Sequence, residues 1–496
     1  MNELTSQARE DIVLETIPSP GGDDSPEILS LEYDSRQVGP GALFFAAAGE
    51  KADGHSFLDQ VVSRGAAAVA SERTPPDGFA LAWVRVGEIR RAMASLADCF
   101  YGSVSSHMPL VGITGTNGKT TTAYLVHSIM QQRAPALLMG TIEVRLGEKK
   151  LSHSRLTTPE AIDLQRTLAE AWENGCRSGV LEVSSHALHR LRVLYCRFPV
   201  AVFTNLSQDH LDYHGDWESY FQAKSLLFDP AYNEAVRWAV LNADDEWVRG
   251  LRTAPDVQRL TFGLGGDSQA SPADIQPLRW SSKVTGSSIV LDLQGHRLEL
   301  TTPLAGRHNV YNVLAAVAAT SALGYAEGEI KEGIAALKSV PGRFERVETD
   351  HPAHIFVDFA HTPDALENVL QLCRSLAPRR VLCVFGCGGD RDRAKRPRMG
   401  EIAARLSDLA IVTSDNPRSE EPASIVDDIL EGVPEERACS VETVIERRKA
   451  IARVLRLAQA QDIVLIAGKG HETYQEINGE RFPFDDRDVI REENPA

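Results

Sequence analysis

The sequence predicts an α/β protein of three domains: a small N-terminal α/β domain over 1–107, a central P-loop ATPase-type parallel sheet over 108–340, and a C-terminal Rossmann-like doubly wound domain over 341–496. Three observations carry this reading. A chain of 496 residues exceeds what one core accommodates and suggests roughly three units of ~150 residues. Short apolar runs alternate with amphipathic stretches, as in parallel sheets covered on both faces. Residues 112–122 read Gly-Ile-Thr-Gly-Thr-Asn-Gly-Lys-Thr-Thr-Thr directly after Pro109-Leu110-Val111, a strand running into a glycine loop that opens a helix.

In chain order, the first 107 residues hold the small-residue segments Ala42 to Ala48 and Ala66 to Ala70, divided by Gly and Asp turns, and an exposed loop from Pro18 to Pro26. No chemical motif is legible there from the residues alone. In the central domain, strands are predicted at Gly179-Val180-Leu181-Glu182-Val183, Val200 to Asn205 and Trp238 to Asn242. Ile289 to Leu300 alternates like a hairpin across Gln294-Gly295, and a helix follows over Val310 to Leu323. A new unit begins near Pro341-Gly342. Its strands, Ile355 to Asp358, Val381 to Phe385, Leu409 to Val412 and Ile463 to Ile466, alternate with the amphipathic stretches Pro363 to Leu376 and Thr443 to Ala458. Gly386-Cys387-Gly388-Gly389-Asp390-Arg391 does not complete a dinucleotide fingerprint, because Arg391 stands at the third glycine position.

Composition narrows the function classes. A formal net charge of −17 argues against non-specific nucleic-acid binding, so an anionic substrate must meet a local basic pocket. No apolar stretch reaches the ~18 to 20 residues of a membrane span, and the first residues lack a signal-peptide pattern. A cytoplasmic monomer is expected, with neither membrane nor nucleic acid among its partners. Seven cysteines without paired zinc-ligand spacing read as buried free thiols.

The chemistry concentrates at strand ends. In the loop of Gly115, Thr116, Asn117, Gly118, Lys119, Thr120 and Thr121, glycines let backbone N–H groups face phosphate oxygens. Lys119 supplies a point charge for the terminal phosphates, and the Thr120 hydroxyl suits Mg²⁺. Strict P-loop spacing would place a glycine at Ile113, so this is a variant loop that predicts ATP binding. Glu182 to His186 follows a strand, where a carboxylate at the carboxyl end can hold Mg²⁺. Asn205 to Gly215 packs two histidines, two aspartates and an asparagine into eleven residues, with Asp209 or Asp212 as a helix cap in the plainer reading. Asp358 to Pro363, Asp415 to Arg418 and Gly468 to Glu472 also follow strands, and each taken singly is compatible with ordinary turn chemistry.

Together these segments resemble the Mur ligases, ATP-dependent amino-acid-adding enzymes of peptidoglycan synthesis. The resemblance spans Asp34-Ser35-Arg36, Gly41 to Gly54, Gly115 to Thr122, Thr157 to Glu160, Glu182 to Leu188, Thr204 to Gly215, Gly306 to Asn309, Gly342 to Glu345, Asp358 to Ala365, Gly386 to Arg393, Asp415 to Arg418 and Gly468 to Glu472. Two departures stand out: Phe359 where the family commonly has Tyr, and Leu156 where some members have Asn.

The resemblance implies joining UDP-N-acetylmuramoyl-L-alanyl-D-glutamate to meso-2,6-diaminopimelate with ATP cleavage through an acyl phosphate. Lysine-adding members, a folylpolyglutamate-synthase-like ligase, or a P-loop phosphotransferase or switch are the rivals. It implies that Lys119, Glu182, His210 and Lys224 are catalytic, and that Thr120, Glu182 and His210 are metal-associated. Lys224, carbamylated by CO₂, is implied as a further anionic ligand. That chemistry needs a neutral amine, so burial or nearby cations must lower its pKa. Asn309, Arg343 and Asp358 are implied nucleotide contacts. For the UDP substrate the resemblance points to Tyr33, Ser35, Glu50, Lys51, Ala52, Thr157, Thr158, Ser184, Arg190 and Arg192. For diaminopimelate it points to Arg391, Asp415, Asn416, Pro417, Arg418, Gly468 and Glu472. Domain closure around the acyl phosphate is also implied.

Overall fold

A computed structural model describes residues 1–7, 12–20, 25–49, 52–153, 156–265, 272–293, 295–376 and 378–493. The chain divides into two compact units, Met1–Gln276 with Asn312–Gly333, and Pro277–Tyr311 with Ile334–Ala496.

The first unit holds two sheets. Its N-terminal sheet has five strands in the order Val13–Ile17, Ala82–Val86, Ala68–Ser71, Ala42–Phe45, Ser30–Glu32, all parallel except the first. The small residues read from the sequence form its buried centre: Ala42, Leu43, Phe44 and Phe45 are at most 1% exposed.

The eight-stranded sheet runs Gln258–Phe262, Trp238–Asn242, Val200–Phe203, Leu110–Thr114, Ser178–Glu182, Ala136–Met139, Glu143–Leu146, Lys149–His153. Its first six strands are parallel. Leu110–Thr114 lies between Ser178–Glu182 and Val200–Phe203; from it the chain passes to Ala136–Met139, returns to Ser178–Glu182 between the two, and then crosses to Val200–Phe203 on the other side. That makes its carboxyl end a topological switch point, where open α/β sheets leave a crevice for ligands. Three neighbouring strand ends deliver the glycine loop, Glu182 and Thr204 to the same edge.

In the second unit, Pro277–Lys283, Gly286–Leu293 and His296–Thr302 form an antiparallel sheet. Leu293 pairs with His296, as the expected hairpin requires; Gln294 lies outside the described residues. The helix expected from Val310 spans Arg307–Ala322. The main sheet orders Glu345–Arg346, His354–Asp358, Ile463–Ala467, Val381–Phe385, Leu409–Val412, Val441–Thr443. All neighbours are parallel except the first pair.

Both faces of this sheet are covered, which explains the unbroken apolar runs. Along Val381–Phe385, Val381, Cys383 and Phe385 pack with Leu366, Leu370, Met399, Ile425 and Ile429. Leu382 and Val384 pack on the other side with Ile451, Val454, Leu455, Val489 and Ile490. The stretch expected to be helical from Thr443 begins as a strand, Val441–Thr443, and turns helical only at Arg447–Leu457. All seven cysteines are free. Cys439 is exposed and Cys99 half-buried, so the expectation of buried thiols holds for the other five.

Candidate active site

The strand Leu110–Thr114 is wholly buried and ends in a loop whose glycines take positive φ, +141° at Gly115 and +83° at Gly118. A Cβ on Gly115 would run into the Thr204 hydroxyl, and one on Gly118 would lie 2.5 Å from Asn312 Oδ1; glycine is a packing requirement at both positions. Gly118 precedes the twelve-residue helix Lys119–Met130, and no side chain caps that helix. Its N-terminal amides are therefore presented to an anion.

The loop is fastened to the segment leaving the next strand. Thr116 N donates to Asn205 O at 2.9 Å. Asn117 N donates to Asn205 Oδ1 at 2.9 Å, and Asn205 Nδ2 donates back to Asn117 O at 3.1 Å. Thr204 Oγ1 donates to Asn117 O at 2.6 Å, and Ser207 N to Thr116 Oγ1 at 3.0 Å. Such a ladder fixes the loop in advance, so its ordering is not left to ligand binding. Asn205 was legible only as one polar residue in a dense segment; its amide clamp is what the structure adds.

Two lysine side chains converge on one carbonyl. Lys119 Nζ donates to Gly115 O and Thr116 O, both at 2.8 Å, while Lys224 Nζ donates to Gly115 O at 2.9 Å. Lys224 is 1% exposed, near the end of the helix Trp217–Ser225, and lies 4.5 Å from the Tyr220 ring centroid. Asp216, not Asp209 or Asp212, caps that helix by accepting from Ser219 N at 2.7 Å. Burial, reinforced by the charge of Lys119, holds the Lys224 pKa well below the ordinary lysine range.

Glu182, 1% exposed, ends its strand beside the helix. Thr120 Oγ1 donates to Glu182 Oε2 at 2.9 Å, and Thr141 donates to the carboxylate through N at 2.9 Å and Oγ1 at 3.0 Å. A carboxylate and a threonine hydroxyl at a helix N-terminus are hard oxygen donors suited to Mg²⁺, which takes its remaining ligands from water and phosphate. Among the described residues, no group of three or more His, Cys, Asp or Glu side chains is arranged as a metal cage.

His210 sits nearby in a left-handed conformation, φ +53°. Its ring lies 4.8 Å from His186 and 6.3 Å from Tyr220, whose hydroxyl is 3.2 Å from Thr116 Oγ1. Burial lowers the His210 pKa, as do Lys224 and Lys119 against the opposing pull of Asp209. His186 and His214 are pushed down to about 4 by burial and by neighbouring histidines. At neutral pH this cluster is an uncharged donor and acceptor surface. It joins the two motifs that the sequence displays separately.

The expected UDP-substrate residues fall into two groups. Thr157, Thr158, Ser184, Arg190 and Arg192 gather around the Glu182 strand end. Thr157 Oγ1 is 3.1 Å from Thr141 Oγ1, Thr158 Oγ1 donates to Glu182 O at 2.8 Å, and Ser184 N donates to Thr158 Oγ1 at 3.1 Å. Arg190 Nε reaches Tyr213 Oη at 3.1 Å, and Arg192 pairs with Glu160 at 2.7 Å. Tyr33 and Ser35 belong to the other group: Tyr33 Oη donates to Asp163 Oδ2 at 2.5 Å, and Ser35 Oγ to Gln60 Oε1 at 3.0 Å. Ala52 is exposed. Glu50 and Lys51 lie outside the described residues.

In the second unit the expected residues follow adjacent strand ends. Asp358 accepts from Phe344 N at 2.6 Å and Ala360 N at 2.8 Å. Burial raises its pKa, while Arg343, whose guanidinium lies 5.5 Å from the Phe359 ring centroid, draws it down. Asn309 is buried and donates to Ala305 O at 2.8 Å.

Around Asp415, Asn416 Nδ2 donates to Glu472 Oε2 at 2.8 Å, and Lys469, fully buried, donates to Asn416 Oδ1 at 3.0 Å and Glu472 Oε2 at 3.1 Å. Arg418 takes φ +52° and donates from Nη1 to Gly389 O at 2.7 Å. A Cβ on Gly389 would collide with the Pro417 carbonyl, and one on Gly388 would lie 2.9 Å from Arg418 Nη1 and 3.8 Å from Arg391 Cγ. Arg391 is exposed. Asp415, Asn416, Pro417, Arg418, Gly468 and Glu472 thus form one cluster with Arg391 at its edge. Lys469 lies within Gly468 to Glu472, where its residue type alone does not mark it as buried, and Arg447 and Asp486, which pair beside Asp415, carry no sequence signal.

Family models match most of the chain: the Mur ligase family catalytic domain over residues 27–101, the Mur ligase middle domain over 113–320, and the Mur ligase glutamate ligase domain over 342–470. The chain is 47% identical over 469 residues to the UDP-N-acetylmuramoyl-L-alanyl-D-glutamate–2,6-diaminopimelate ligase of Solibacter usitatus (strain Ellin6076), covering 94% of this chain and 93% of that protein. It is 46% identical over 469 residues to the protein of the same name from Gloeobacter violaceus, covering 94% of each. A solved structure under that name aligns with a TM-score of 0.69 and 33% identity, again over 94% of each chain.

Proposed function

The chain belongs to the Mur ligase family, and from that premise we propose that it is an ATP-dependent ligase adding meso-2,6-diaminopimelate to the D-glutamate of UDP-N-acetylmuramoyl-L-alanyl-D-glutamate, in peptidoglycan precursor synthesis. The observation that carries this reading is the glycine loop clamped by Asn205, with Lys119 and Lys224 converging on Gly115 O and the Thr120–Glu182 pair beside them.

A carboxylate does not acylate an amine directly, because its hydroxide equivalent is a poor leaving group. Transfer of the ATP γ-phosphoryl group to the glutamate carboxylate replaces it with phosphate, and the incoming amine then displaces phosphate through a tetrahedral intermediate. Carboxylate and γ-phosphate are both anionic, so the site's main work is neutralising charge and aligning the two in line. The loop amides and Lys119 bind the phosphates. Thr120 and Glu182, with His210, would hold Mg²⁺, which supplies further charge neutralisation there. Lys224, whose pKa burial and Lys119 lower, is disposed to take up CO₂ as an anionic carbamate. Arg190 and Arg192 beside Thr157, Thr158 and Ser184 offer donors for the anionic groups of the UDP-linked substrate, with Tyr33 and Ser35 as its further contacts. Asn309, Arg343 and Asp358 are the nucleotide contacts contributed by the later segments.

The amino-acid subsite is the Asp415 to Arg418 cluster, where carboxylates meet ammonium groups and Arg418 and Arg391 meet carboxylates. We read the enzyme as a cytoplasmic monomer; among the described residues no helix is long and apolar enough to cross a membrane. The test is phosphate release from ATP. It should require both the UDP-dipeptide and diaminopimelate, and release independent of both would replace the ligase with a phosphotransferase or ATP switch.

A further inference from the structure

Asp415 is nine-tenths buried, yet its two oxygens are treated unequally. Oδ1 accepts from Asn416 N at 2.8 Å, whereas Oδ2 has no hydrogen-bond partner among the described residues. Space for Oδ2 comes from Gly468, φ +114°, where a Cβ would lie 2.6 Å away. The nearest cation is Arg447 Nη1, at 4.0 Å, itself unpartnered and buried.

Arg447 opens the helix Arg447–Leu457 and is fully buried. Its Nε and Nη2 grip Asp486, each at 2.7 Å, and Nη2 also donates to Ala467 O at 3.0 Å, at the end of the strand that leads into Gly468. The guanidinium is therefore locked in plane, with Nη1 left pointing at Asp415.

We propose that Arg447 is a positioning residue for the amino-acid subsite: anchored by Asp486, it fixes the orientation of Asp415 Oδ2 as the acceptor for a substrate ammonium group. The inference rests on the subsite reading given above. A buried carboxylate oxygen keeps one direction only if a fixed group faces it, and a planar, permanently charged guanidinium held at two of its nitrogens supplies such a group. With Oδ1 taken by the Asn416 amide, Oδ2 is the oxygen of Asp415 left for an ammonium group.

Two variants test this. Arg447→Lys keeps a cation against Asp486 but removes the arm that faces Asp415. Arg447→Met combined with Asp486→Leu removes the buried pair without stranding either charge. Each is expected to raise KM for diaminopimelate at least fivefold, with KM for ATP and for the UDP-dipeptide within twofold of wild type. In an Asp415→Asn background the same changes should add less than twofold. An unchanged diaminopimelate KM in either folded variant, a parallel rise in all three KM values, or an undiminished effect in the Asp415→Asn background would overturn the role. Wild-type enzyme with no saturable dependence on diaminopimelate would overturn the subsite reading itself.

Discussion

Lys224 has its side chain buried against the Gly115 carbonyl, in a place where an ammonium is doubly disfavoured, by desolvation and by Lys119. A lowered pKa makes the neutral, nucleophilic amine more available, and carbamylation would turn a repelled cation into an anion facing Lys119. Lys224→Ala is accordingly expected to be nearly inactive and to regain part of its turnover with added short carboxylates, which occupy the vacated place. Steady-state rates with and without acetate check this, and full activity of the unsupplemented variant would remove Lys224 from the catalytic set. At Arg418 the issue is choice of amino acid. Diaminopimelate carries a second carboxylate that lysine lacks, and a planar guanidinium matches it better than an ammonium does. The Gly389 carbonyl and Glu476 hold Arg418 in a left-handed turn, so little ordering is required on binding. Arg418→Ala should cost about 2 to 5 kcal/mol of discrimination, roughly 30- to several-thousand-fold in kcat/KM for diaminopimelate. KM for ATP should barely move, and an unaltered preference for diaminopimelate over lysine would count against the assignment.

At the scale of the element, the helix Lys119–Met130 carries both the phosphate-binding end and a pH liability. His127, 7% exposed, bonds through Nε2 to Ala136 O at 3.1 Å, and burial lowers its pKa to about 4. An unfolded chain returns it to about 6.5. Between those values the unfolded state binds the extra proton, so this contribution to stability is complete above pH ~6.5 and is lost as pH falls through 4. His127→Gln, which keeps a donor but does not titrate, should shrink the stability loss between pH 7 and pH 5 by about 2 kcal/mol. Denaturant melts at the two pH values check it; an identical loss in both proteins would mean that His127 is already protonated in the fold. Strands and helices of this kind were largely legible, because apolar runs and amphipathic stretches follow directly from a sheet covered on two faces. The start of the helix at Arg447 was not. Val441–Thr443 pairs with Leu409–Val412 as an edge strand, and such short edge pairing leaves no periodic signal.

Across the whole molecule, the candidate site residues were legible where they sit in contiguous motifs at strand ends, as in Gly115 to Thr121 or Asp415 to Arg418. They were not where the site depends on contacts distant in sequence. The amide clamp of Asn205 on Asn117 joins residues 88 apart, and the grip of Arg447 on Asp486 joins residues 39 apart; neither leaves a local pattern. The central claim is that these sites act together as an amino-acid ligase selective for diaminopimelate. Mass spectrometry of the product formed from UDP-N-acetylmuramoyl-L-alanyl-D-glutamate, ATP and an equimolar mixture of diaminopimelate and lysine tests it most directly. A UDP-tripeptide carrying diaminopimelate almost exclusively, formed together with ADP and phosphate, is the predicted result; a lysine product in comparable amount, or ATP consumed with no tripeptide formed, would contradict it.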